Sequence, residues 1–458
     1  MKKTQIDTHR YLARFILEAA TPMFVGSGES SLLKDALVQK DVNGFPCILG
    51  TTLAGVLRHQ FEIENKEISS TIFGGSKAES DGSGSQLKVH TAFMVLNNGL
   101  VSEGIIPDPD KTILDHYNNL PSRQHVRITD KGVAQDNGLF DNEIVYKGTR
   151  FMFEMELKGD YSLIESWKTL MAIVSRPTFR LGSGTRNGYG QLRVLESYSR
   201  IFNLTQKEDF NTYLDFNPSY NSELKFEKNQ SEDLEIAKHV THYQLQLQPD
   251  SVFVFSEGFG DDEADNKPLE ETVAMYRDNT IDFETQTVIP ASSIKGALAH
   301  RVAFFYNKLN KFYADNRAGK TGEDNQAVSD LFGKIGKSVK EAQAGRVFIN
   351  DTYFNKNAVS NDKIFNHVAI DRFTGGAMDG ALFSEKVSSL VEKSFNLDVY
   401  VQDLDSLEAD VKTALELALE DIVKGLLPLG GMTTKGHGMF TGILQRNGEE
   451  LFNYNLTN

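Results

Sequence analysis

One cysteine, one tryptophan and eleven prolines stand in 458 residues, and lysine plus arginine (48) fall well short of aspartate plus glutamate (63). A single thiol, Cys47, excludes an intramolecular disulfide framework and the clustered Cys/His spacing of a structural zinc site. Its place in a strand-like stretch marks it as a small core residue. No window carries the roughly 18 apolar residues of a membrane span, and the start, MKKTQIDTHRYLARF, has no apolar leader segment. The expectation is a soluble, unexported protein of a reducing cytoplasm. The formal charge of -15 argues against an indiscriminate nucleic-acid binder, because affinity for phosphate comes mostly from Lys and Arg. Acid is concentrated, however, in Asp261–Glu271, Glu223–Glu235 and Asp398–Asp421, so a positive groove elsewhere remains compatible with the total.

What is present is a duplication. ILGTTLAGVLRH recurs as IPASSIKGALAH, Gly296 following Gly55 by 241 positions. HVRITDKGVAQDNGLFDNEIV, from His125, recurs as HVAIDRFTGGAMDGALFSEKV, from His367, 242 positions on. LGSGTRNGYG, from Leu181, recurs as LGGMTTKGHG, from Leu429. Two further pairs, TIFGG with DLFGK and an early strand ending in glycine, keep the same order. Repeats of this length make two domains, 1–200 and 239–458, joined by a polar connector, 201–238. Alternating runs such as TRFMFEMELKG and NLDVYVQ predict half-buried antiparallel strands. Leu53, Val56, Leu57 and Phe61, and likewise Ile294, Ala297, Leu298 and Phe305, share one face of a predicted helix. The fold class is therefore α+β, with antiparallel sheets carrying helices on one face in a ferredoxin-like core.

Each predicted first helix opens on hydroxyls, Thr51 and Thr52 or Ser292 and Ser293, expected to cap it and to leave N–H groups for a phosphate. The late glycine loops let a nucleic-acid backbone approach the main chain, or form tight connections needing positive φ. Arg180 and Arg186 in the first loop and Lys435 in the second are candidate phosphate donors, as is Lys295, where the first copy has Ala54.

The order of glycine turn, Asp-containing loop, I-x-[GA]-[ST]-[ST] helix, HVAIDRFTGGAMDGALF hairpin and late glycine loop resembles the backbone subunits of type III CRISPR effector complexes. These belong to the RAMP (repeat-associated mysterious protein) superfamily, whose core resembles an RNA recognition motif. The resemblance implies two fused RRM-like domains, each with a thumb hairpin, at His125–Val145 and His367–Val387. It implies a guide RNA, a complementary target RNA and other effector subunits as partners, including the large polymerase-like signature subunit. The first thumb, HVRITDKGVAQDNGLF, departs from the pattern. Residues implied at the RNA are Gly26, Ser27, Thr51, Thr52, Arg58, His125, Arg127, Arg180, Gly182, Gly184, Arg186 and Gly188 in the first half. In the second they are Ser292, Ser293, Lys295, His367, Arg372, Gly430, Gly431, Lys435 and Gly436.

The resemblance further implies that a loop aspartate, Asp35, cuts the target with a divalent metal. Mg²⁺ suits one carboxylate, since it keeps several waters. Counting back from the second helix without a gap sets Tyr276 opposite Asp35; a turn two residues shorter sets Asp278 there instead. Asp278 is accordingly the second candidate cutter. A scaffold that binds RNA without cutting, and a histidine-based guide-processing nuclease, are the alternatives.

Overall fold

The computed structural model describes residues 7–30, 36–75, 84–128, 134–229, 239–256, 258–312, 320–336 and 341–457, with the side chains of 125, 127–140, 456 and 457 outside the description. Each half is built on the same four antiparallel strands. In the first, Leu87–Val89, Arg150–Gly159, His9–Ala19 and Leu192–Asn203 lie side by side, with Cys47–Ile48, Ala92–Met94 and Glu227–Lys228 extending the sheet to seven strands. In the second, Val347–Ile349, Phe395–Gln402, Val240–Pro249 and Phe440–Arg446 repeat that order, with Glu449–Asn453 at the edge. With a helix after the first strand and another before the last, this is the ferredoxin-like arrangement expected.

Alternation along His9–Ala19 turns Tyr11, Ala13, Phe15 and Leu17 inward. They meet Leu53, Leu57 and Phe61 of the helix Gly50–Phe73 and Leu170, Ile173 and Val174 of the helix Ile164–Val174, a single buried cluster. Tyr243, Leu245 and Leu247 do the same beneath Ala291–Leu309 and Ala409–Val423. Cys47 and Trp167 are buried, and burial pushes the Cys47 thiol up to about 11, consistent with an inert core thiol. Among the described residues no helix is long and apolar enough to cross a membrane.

The connector packs rather than hangs. Pro218 and Ser219 carbonyls accept from Arg14, and Tyr220 is buried beside Val95 and Val101. The second domain sends a hairpin, Glu270–Arg277 with Thr280–Ile289, onto the first. Tyr276 Oη donates to the Val95 carbonyl at 2.7 Å and accepts from the Arg150 N–H, while Phe283 stacks on His116 at 3.8 Å. Gly148, at φ 88°, lies so close that a Cβ would come within 1.9 Å of the Ala274 carbonyl oxygen. Gly148→Ala should therefore pry this clamp open, costing more than about 2 kcal/mol in a urea melt, from strain at positive φ plus the forfeited close approach.

Candidate nucleic-acid interface

The two late glycine loops fold alike. Gly182 and Gly430 press on the carbonyls of Phe24 and Val254, where a Cβ would clash, and Gly190 and Gly438 press on Leu181 and Leu429. Short 3₁₀ turns, Thr185–Asn187 and Thr433–Lys435, follow Gly184 and Met432 in left-handed conformations, so the glycines serve a tight connection in both copies. Gly431 and Gly436 are exposed on the second loop.

The environments differ. The first loop is pressed against the second domain: Arg180 donates to the Ile349 carbonyl and to Asn350 Oδ1 at 2.5 Å, and is 4% exposed. Burial pushes its guanidinium down to about 9. The expected phosphate donor is thus spent inside the protein. Arg186 donates to the Gly345 carbonyl and lies over Phe348, and Lys295 reaches Asn187 Oδ1 at 3.1 Å. Burial lowers both pKa values, and Arg186 lowers that of Lys295 further. Both are half-buried, and among the described residues neither pairs with a carboxylate. Two adjacent cations without a counter-ion there make this seam electropositive. Lys435, by contrast, is exposed over the Phe383 ring.

Beside them lies a buried ionic knot at the base of the first thumb. Arg123 makes a bidentate pair with Glu271 at 2.5 Å and a further bond to Asp351 at 2.7 Å, with the Tyr353 hydroxyl 3.1 Å away. Burial holds Asp351 above the usual carboxylate range, whereas Asp351 and Glu271 together raise Arg123. Asp351 Oδ1 also accepts the Ala291 N–H at 2.7 Å, so a carboxylate already occupies the start of the second domain's helix. This corrects the expected capping: neither helix takes a side-chain cap from its own hydroxyls, and Ser292 and Ser293 do not frame an open phosphate cradle. In the first domain the corresponding residue is Thr91, whose Oγ1 lies 3.4 Å from the Gly50 nitrogen; Thr51 and Thr52 lie outward of it. Arg58 is engaged within its helix by Glu62 at 2.8 Å.

Both thumbs are two-stranded ribbons, Ser122–Ile128 with Ala134–Glu143 and Val359–Ile370 with Ala377–Leu390. The side chains of His125 and Arg127 lie outside the described residues. On the second thumb His367 Nε2 meets the buried Glu385 at 2.8 Å, supporting the ribbon's base. Its far end exposes Val368, Ile370, Leu382 and a fully exposed Phe373, with Arg372 at the tip. Asp371 accepts the N–H groups of Phe373 and Thr374, which hold its carboxyl below the usual range and shape the turn.

Asp35 lies outside the described residues, but the ends of its loop are described. Gly26 bridges Val38, Ser27 N–H and Oγ both donate to Leu37, and Glu143 of the thumb accepts the Val38 N–H. In the second domain Ser256 bridges Pro268 in the same way, 230 positions on, and Gly28 and Gly258 share φ values of 83° and 85°. Counted from these anchors, the residue corresponding to Asp35 is Asp265. Asp278 instead occupies, with Asn279, the two-residue turn of the clamp hairpin at φ 47° and 65°, where Asn279 accepts from Asn98 of the first domain. The pairing of Asp35 with Asp278 is therefore corrected. Ala291 follows Leu269 by 22 positions whereas Gly50 follows Gln39 by 11, and the longer hairpin misleads any count made backward from the helix.

Asp265 is exposed, and its Oδ2 accepts the Ser384 N–H at 2.8 Å and the Ser384 hydroxyl at 2.9 Å. The Ser384 N–H, then the hydroxyl, hold its pKa below the usual value, keeping it ionised. No group of three His, Cys, Asp or Glu side chains among the described residues could cage a metal ion. A single ionised carboxylate with Oδ1 outside these bonds fits only an ion that keeps most of its waters.

No curated protein matches the chain. Among solved structures, a chain of a type III-B Cmr-β complex determined by cryo-EM in its apo state is similar at 18% identity, covering 40% of this chain and 97% of that one, with a TM-score of 0.31. The family model described as the RAMP superfamily matches residues 16–193 and 270–441. Those two regions fall one on each side of the connector, each taking in the first long helix, the thumb and the late glycine loop of its half, and the chain belongs to the RAMP superfamily.

Proposed function

We propose that the chain is a guide-RNA-binding backbone subunit of a type III CRISPR effector, which cleaves complementary target RNA through one loop aspartate in each domain. The observation that carries this reading is the seam of Arg186 and Lys295, cations that no described carboxylate pairs, lying at a glycine loop beside the base of the first thumb. Neutralising backbone phosphates is what such cations do at low cost, and it answers the objection raised by the acidic total. The exposed apolar end of the second thumb suits a wedge against unstacked bases.

Asp35 and Asp265 are the residues that would hold a hydrated divalent ion, Mg²⁺ being the natural choice. Bound there, such an ion would counter charge building on the scissile phosphate. The chain's own part is positional. By gripping the strand on both sides of one nucleotide it sets the ribose 2′-oxygen in line with the phosphorus and the departing 5′-oxygen. The 2′-O–P bond then forms as the P–O5′ bond breaks, the 2′-hydroxyl giving its proton to water and the departing 5′-oxygen taking one from water, which leaves a cyclic phosphate and a 5′-hydroxyl. Other effector subunits, the polymerase-like signature subunit among them, complete the particle, and its setting is the cytoplasm.

Guide-RNA affinity tests the reading. Arg186→Ala with Lys295→Ala should lower it and shrink the slope of log K against log salt by about 0.7 for each single-strand phosphate no longer neutralised. An unchanged slope would remove the RNA role from the seam. Tight target binding with no cutting in Mg²⁺ would favour a scaffold.

A further inference from the structure

The contact between the two domains is head to tail: the thumb base and glycine loop of the first meet the helix start and adjoining strand of the second. A contact of this kind uses two different surfaces and so leaves one of each unfilled at the ends. The second domain therefore presents its own thumb base and glycine loop outward. Gly188, at φ 102°, is packed so that a Cβ would meet Asp351 at 2.6 Å and Ala291 at 2.7 Å, whereas its counterpart Gly436, at φ 88°, has open space.

We propose that this open face receives a RAMP-type domain from a different polypeptide, and that a second copy of this chain is excluded from it. The exclusion follows from substitutions on both outer surfaces. Phe365 stands where Arg123 stands, against His437 at 5.6 Å as Arg123 lies over Tyr189 at 5.0 Å. Thr91 stands where Asp351 stands, each next to the start of its helix. Were a second copy to dock, the Arg123–Asp351 ion pair would become Phe365 against Thr91. Arg180 with Asn350 would become Pro428 against His90, and Arg186 on Phe348 would become Thr434 against Lys88. Glu271 corresponds to Asp41, whose carboxylate is already engaged by the Asn43 and Phe45 N–H groups and the Ser102 hydroxyl. None of these charged or cation–π pairs of the internal joint would have an equivalent between copies. Specificity of this kind comes from denying the wrong partner its interactions. The right partner carries an apolar residue where Asp351 stands, to meet Phe365, and a carboxylate within reach of the exposed Lys435.

Two complementary half-grafts of the full chain test this without reference to RNA cleavage. One carries Lys88→Phe, His90→Asn and Thr91→Asp; the other carries Phe365→Arg, Pro428→Arg and Thr434→Arg. Wild type should stay a single chain in native mass spectrometry at micromolar concentrations, and the mixed half-grafts should form a 1:1 pair. Wild type that grows into chains would overturn the proposal. So would half-grafts that melt like wild type yet never pair, since the outer face would then not repeat the inner geometry. In cells that encode the protein, two differently tagged copies should not be recovered together; stoichiometric co-recovery would equally overturn it.

Discussion

Asp265→Asn is expected to abolish one set of cuts in complementary RNA while the other set persists, and Asp278→Asn to leave both intact. The effect on the abolished cut should reach about two orders of magnitude, the scale on which a single positioned catalytic group is felt. Asp35→Asn should erase the remaining set. Gel analysis of end-labelled target under single-turnover conditions separates the two. The argument is topological: the bridges Gly26 to Val38 and Ser256 to Pro268 bound loops of equal length, while Asp278 turns a hairpin committed to clamping the first domain. Cutting that survives in Asp35→Asn/Asp265→Asn would deny both loops a catalytic role. Loss of a cut in Asp278→Asn alone would restore the clamp turn as a centre.

Arg123→Met should destabilise the chain by about 3–5 kcal/mol, because it strands Asp351 and Glu271 in a buried site without their cation. Urea unfolding read by tryptophan fluorescence would register it, Trp167 being buried in the first core. The deficit should depend on pH with a definite sign. Burial already holds the Asp351 carboxyl above its ordinary value, and removal of Arg123 moves it further up. The folded state then binds a proton that the unfolded chain does not, so it gains stability as pH falls through that raised value and loses it as pH rises. The gap from wild type should be widest at neutral pH and narrow toward acid. Adding Asp351→Asn and Glu271→Gln should recover much of the deficit, as an uncharged set carries no stranded charge.

The duplication, both sheets and both helix faces were legible because they rest on periodicity, which local sequence carries: Leu53, Leu57 and Phe61 are buried as their spacing requires. The thumbs were legible through the repeated HV…LF pattern. The partner of each polar group was not. Arg180 reads as a cation for RNA until one knows that Asn350 and the Ile349 carbonyl face it from the other half. Thr51 and Ser292 read as caps, yet the groups at the helix starts come from the short link after a distant strand, as Thr91 and Asp351. Asp265 could have been found by counting forward from Gly28 and Gly258, because the loop keeps its length while the hairpin beyond it does not. Counting backward from the helix crossed that insertion.

The hairpin clamp and the connector tie one domain to the other within a single chain, which makes their association unimolecular. Its strength is set by an effective concentration, and dilution does not weaken it. Association at the two outer faces obeys mass action. As a particle containing this chain is diluted, neighbours at those faces should depart first, and the two-domain unit should be the last piece to persist.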